Sequence, residues 1–241
     1  MRIGTILVCV GAILSFSAAV RGAVDHAPFT NLLRDNVTDD GRVDYAALKS
    51  KQFDLLVYLD AMANADVNSL TRDEQLAYYL NLYNASVLNG ICDRYNANYS
   101  PADNDHELFK APLVRTGGKT ITLNQLENEI IRPTFKDPRV HAALVCGARS
   151  CPPLLRRAYT ANDLNETLDA NMKRFVNDPN RNRIDRAGKR LILSKIFEWN
   201  ADDFGGKDKL PAYLSKYAEG GSVEGFSVSF SDYNWSLNAK M

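Results

Sequence analysis

The sequence predicts a helix-rich α+β fold with a small antiparallel sheet packed on helices. Three observations carry that prediction. Apolar residues recur at three- and four-residue spacing through most of the first half, and two alternating runs flank glycine-containing turns further on. Helix and strand are also segregated along the chain, whereas regular alternation would have indicated parallel βαβ units.

Taken in order, residues 1–22 (MRIGTILVCVGAILSFSAAVRG) place one early arginine before an apolar run and then small residues. This is the layout of a secretory signal, with cleavage after Ala19 or Gly22. The apolar run is shorter than the roughly 20 residues of a membrane-spanning helix. A periplasmic or secreted protein is therefore expected, with residues 23–241 forming a single globular domain and no membrane span. Residues 45–64 and 72–95 read as two packed helices, the second opened by a Thr71/Glu74 capping box. Residues 113–123 alternate around Gly117-Gly118 and form a hairpin candidate. An amphipathic helix over 122–132 should stop at Pro133, and the apolar run 139–146 reads as a strand feeding a loop. Residues 160–177 start with a Thr160/Asp163 cap, 181–193 make a second hairpin around Ala187-Gly188, and a glycine-rich loop precedes a last strand over 226–230.

Composition narrows the class of function. The 241 residues are 45% hydrophobic and 24% charged, with 29 basic and 29 acidic side chains, and the mean hydropathy is -0.29. These are the values of an ordinary globular chain, neither disordered nor fibrous. Loss of residues 1–22 removes Arg2 and Arg21 and no acid. The remaining body is close to neutral and offers no basic field to a nucleic acid.

Of the 4 cysteines, Cys9 falls in the leader, leaving Cys92, Cys146 and Cys151. Cys92 sits in a helical pattern and reads as a buried inert thiol. The pair Cys146 and Cys151 can close a small disulfide in an oxidising compartment. Alternatively one of them is a nucleophile, since Arg139, Arg149, Arg156 and Arg157 surround the run and favour a thiolate. His141 is the nearest base. In a straight strand it would face away from Cys146 at roughly 16 Å, counting about 3.3 Å per residue, so only a loop folding Cys151 back would bring them together. His141 otherwise reads as a packed, hydrogen-bonded side chain.

Asn81 and Asn84 share a face of the second helix and read either as buried polar pins or as ligand contacts. Glu127 and Arg132 offer a carboxylate and a guanidinium from the third helix, where a solvated face is the plainer explanation. No HExxH, CxxC, GxSxG, Walker or GxGxxG pattern is present, and the three histidines are scattered at 26, 106 and 141. No cofactor or metal is therefore expected.

Several blocks resemble the domain-of-unknown-function 547 family: GRVDYAAL (41–48), LAYYLNLYNA (76–85), TLNQLENEIIR (122–132), RVHAALVCGARSCPPL (139–154), LSKIFEWNADDFGG (193–206) and SDYNWSLN (231–238). The resemblance implies a fold of papain or transglutaminase type and a Cys/His/carboxylate chemistry. The positions it marks are Asn81, Asn84, Glu127, Arg139, His141, Cys146 and Cys151. Two functions follow as expectations. One is a thiol-dependent hydrolase or acyl-transferase on an amide or thioester. In it Cys151 is nucleophile, His141 the base, Glu127 or an asparagine the orienting group, and backbone N–H groups over 147–151 the oxyanion site. The other is a non-catalytic peptide- or ligand-binding domain with a Cys146–Cys151 disulfide, contacted through the Asn81/Asn84 face.

Overall fold

The computed structural model describes residues 24–96 and 98–240. The expected leader, residues 1–22, lies outside them. The chain opens with α1 (Ala27–Asn36), α2 (Tyr45–Ser50) and α3 (Gln52–Ala63). The single helix expected over 45–64 is therefore two. The break falls at Lys51, and the Ser50 hydroxyl donates back to the Ala47 carbonyl at 2.6 Å, competing with helix continuation. Next comes α4 (Arg72–Arg94), whose Thr71/Glu74 capping box forms as its sequence predicts. From Leu76 to Cys92 nearly every side chain of α4 is buried, so it is the central helix, not a surface one.

A short helical segment, α5 (Asp103–Lys110), contains three consecutive left-handed residues, Asn104, Asp105 and His106. Asn and Asp tolerate that region best among side-chain-bearing residues. The first hairpin forms where expected: β1 (Val114–Thr116) pairs antiparallel with β2 (Lys119–Ile121). Gly117 and Gly118 both take positive φ, which a two-residue turn of the matching twist requires.

The third helix departs from expectation. It runs as α6 (Leu123–Gln125), a π-helical turn (Leu126–Ile131) and α7 (Arg132–Phe135), passing through Pro133. The wide turn loosens the ladder just where the proline ring and its missing N–H would otherwise break it. The strand expected over 139–146 is absent as well. Pro138–Ala142 is a 3-10 turn, initiated by Asp137 accepting from the Arg139 N–H at 2.9 Å. A short apolar run buried on all sides gives no periodicity by which to tell strand from turn.

The second half holds α8 (Leu164–Val176), β3 (Arg183–Asp185), β4 (Arg190–Leu193), α9 (Lys195–Trp199), α10 (Leu210–Leu214) and β5 (Ser227–Phe230). β3 and β4 are the predicted hairpin, but β5 pairs parallel to β4, from Arg190 with Ser227 to Leu193 with Phe230. The larger sheet is thus mixed where an antiparallel one was expected. The long α9–α10 connection returns the chain to the same end of β4, which a tight turn cannot do. The architecture is helix-rich α+β, with one two-stranded and one three-stranded sheet.

Apolar burial forms two clusters. One surrounds α4 with α1 to α3; the other lies beneath the mixed sheet, with Phe175 stacked on Phe197 at 5.2 Å. The tail after β5 runs back across their junction. It is pinned by Arg149 N–H to the Ser236 carbonyl at 2.8 Å, Asn238 N–H to the Gly147 carbonyl at 2.8 Å, and the Tyr45 hydroxyl to Asn238 at 2.7 Å.

Candidate functional site

Between the two clusters lies a cavity of about 440 Å³. Four of the residues singled out in the sequence meet on its wall: Glu127 from the π-helical turn, His141 from the 3-10 turn, and Cys146 and Cys151 from the loop that follows. The turn at Pro138–Ala142 is what brings them together, because the extended strand would have carried His141 away from both sulfurs.

The two sulfurs are joined in a disulfide with a Cα–Cα separation of 6.2 Å. The Cys146 N–H points at the Cys151 sulfur at 2.9 Å, and the Tyr233 hydroxyl lies 3.2 Å from one sulfur and 3.3 Å from the other. Burial pushes the Tyr233 phenol far up, so it stays protonated. Of the two alternatives for this pair, the structure holds the disulfide, and in that bonded state there is no thiol to ionise. Cys92 is the free cysteine among the described residues; it is buried, and burial raises its thiol to about 12. It reads as the inert thiol its helical setting suggested.

His141 is almost wholly buried and packs on Phe204, with ring centroids 5.7 Å apart. Its Nε2 lies 2.6 Å from Asp203, whose same oxygen takes the Arg132 Nε–H at 2.7 Å. The hydrogen bond from His141, then that from Arg132, holds the Asp203 carboxyl well below the usual carboxylate range. The group that orients His141 is therefore Asp203, neither Glu127 nor an asparagine. Glu127 instead faces Tyr83, whose phenol is pushed far up by burial first and by that carboxylate second. Glu127 forms no salt bridge among the described residues, and its side chain borders the cavity.

Asn81 and Asn84 do not reach the cavity. Asn84 donates to the Ala143 carbonyl and accepts from the Val145 N–H, both at 2.9 Å. Asn81 holds the two sides of Tyr159 in the same way, at 2.9 and 2.8 Å. These are the buried pins of the two readings, with their amides spent on backbone. Arg139 is turned to Asp137 and Asp169, at 2.6 and 3.1 Å, away from the cavity.

The rest of the wall was not foreseen. Trp199, Tyr233 and Trp235 form an aromatic cluster, with Tyr233 4.8 Å from Trp199 and 4.7 Å from Trp235 between ring centroids. His106 sets its edge against Trp235 at 4.6 Å. Trp199, Asp203, Tyr233 and Trp235 all fall in the blocks at 193–206 and 231–238, so the resemblance itself was the signal that pointed to them. Asn124, Asn128 and Asn200 add amide groups around the opening. No cluster of metal-ligating side chains occurs among the described residues, and none of their helices is long and apolar enough to cross a membrane.

No curated protein and no solved structure matches the chain. Residues 67–176, which supply Tyr83, Glu127, His141 and both bonded cysteines to the cavity, match the model described as "Protein of unknown function, DUF547", and the chain thus carries a domain of that family.

Proposed function

We propose that this is an exported ligand-binding domain whose cavity receives an amine- or amide-bearing group of a peptide or small molecule. The observation that carries this reading is the Cys146–Cys151 disulfide on the cavity wall, which leaves an aromatic recess with one carboxylate and no reactive sulfur. Apolar walls with a few convergent polar groups are the usual make-up of such sites. Glu127 and the asparagine amides supply acceptors for N–H donors, and the rings of Trp199 and Trp235 offer faces to a cationic or apolar group. Export accords with the leader-like residues 1–22 and with a compartment in which disulfides persist.

The chain has 2 tryptophans, Trp199 and Trp235, and both line the cavity, so tryptophan emission reports on this site. Titration of the purified protein with short peptides and amines should give saturable quenching or a wavelength shift. Glu127→Gln should weaken it about tenfold for cationic ligands and leave neutral ones nearly unaffected. Saturation indifferent to Glu127, or no response across a broad panel, counts against the reading.

A second reading rests on the His141–Asp203 pair, whose imidazole shares the cavity wall with the sulfurs. After reduction, Cys151 with His141 and Asp203 forms the set a thiol hydrolase or acyl-transferase needs. Reduced protein would then hydrolyse thioester or amide probes, and His141→Ala would abolish that activity. A reduced protein inert to such probes eliminates it.

A further inference from the structure

A second recess, of about 430 Å³, opens on the other side of the disulfide loop. Four arginines border it: Arg42 after α1, Arg149 in the disulfide loop, Arg174 on α8 and Arg181 just before β3. Two are already neutralised. Arg42 Nε meets Asp40 at 2.8 Å, and Arg181 is clamped on Asp178 while its Nε donates to the Cys151 carbonyl at 2.5 Å. The other two carry uncompensated charge. The Arg149 guanidinium has no hydrogen-bond or ion-pair partner among the described residues. Arg174 bonds the Asp39 carbonyl, while the Asp39 carboxylate is taken by Arg156 at 2.6 Å.

One donor here is also buried and unanswered. Arg42 Nη1 is shielded from solvent and has no hydrogen-bond partner among the described residues, a state that ordinarily costs stability. The fold holds it there by close approach. Gly41, at φ +81, presses on the segment after Cys151 so tightly that a Cβ would lie 2.6 Å from Pro153 Cα. The Ser150 hydroxyl accepts from the Asn234 N–H at 2.9 Å, which leaves its own proton to donate, and Asn180 adds an exposed amide.

We propose that this recess binds a phosphate group, either as the free ion or as a small phosphomonoester. Two uncompensated guanidinium charges balance a dianion, whereas a carboxylate or chloride would balance only one of them. Planar forks and a hydroxyl donor suit an acceptor that offers several oxygens at once.

The test is isothermal titration of the full chain with inorganic phosphate and, separately, glycerol 3-phosphate, at ionic strength matched with chloride. Saturable one-site binding is expected. Arg149→Gln should weaken it at least tenfold, and because that guanidinium holds nothing in the fold, the unfolding temperature without ligand should not move. Tighter binding of glycerol 3-phosphate identifies a phosphomonoester site, and equal binding identifies the free ion; either supports the proposal. No heat beyond the chloride control overturns it, as does unchanged affinity in the Arg149→Gln/Arg174→Gln double variant. Tryptophan emission from the other cavity reads ligand binding there independently, so failure of one site is distinguishable from failure of the other.

Discussion

One oxygen of Asp203 serves both His141 and Arg132, and this sets a pH dependence. The Asp203 carboxyl titrates below its ordinary value, so the folded state favours the ionised form. The resulting stabilisation is fully present above the unfolded value of about 3.9 and is lost as pH falls below it toward the lower folded value. Asp203→Asn should therefore be less stable than the parent at pH 6, and the two should converge as pH drops from about 4 toward 2. Urea midpoints measured across that range check it, and parallel curves would refute it. Glu127, His141, Cys146 and Cys151 were legible because they lie in compact blocks. Asp203 also lies in a block, at 193–206, but its pairing with a histidine 62 positions away is not encoded by local spacing.

On α4, Asn84 bonds both sides of Ala143 to Val145 and so fixes the segment that runs into Cys146. Asn84→Ala would leave a buried carbonyl and a buried N–H without partners, at a cost on the order of 3 kcal/mol. Chemical denaturation should read that loss, together with faster amide exchange at Val145. A change under about 1 kcal/mol would mean that water replaces the amide. Periodicity disclosed α4, α8 and both hairpins, because each is long or punctuated by glycine. It misread 139–146, where burial on all sides erases the pattern, and it stopped the third helix too early because a π-helical turn leaves no mark in residue type. The parallel pairing of β4 with β5 depends on a long connection, which local spacing does not encode.

Across the molecule, the stretch 67–176 is not self-sufficient. Phe29, Tyr45, Leu55 and Met62 cover α4 from one side, while Leu191, Leu193 and Phe197 cover Met172 and Phe175 from the other. A fragment of residues 67–176 should thus lack a cooperative thermal transition and bind a dye for exposed apolar surface. A sharp transition in the fragment would contradict this account of the core.

The cavity is divided along the same line. Carboxylate, imidazole and sulfurs come from within 67–176, while Trp199 comes from the end of α9 and Tyr233 and Trp235 from the tail laced to the disulfide loop. Chains alike only over that stretch can keep one polar floor and differ in their rings. What each admits is then written in its last third, and exchanging tails between two such chains should exchange their guests.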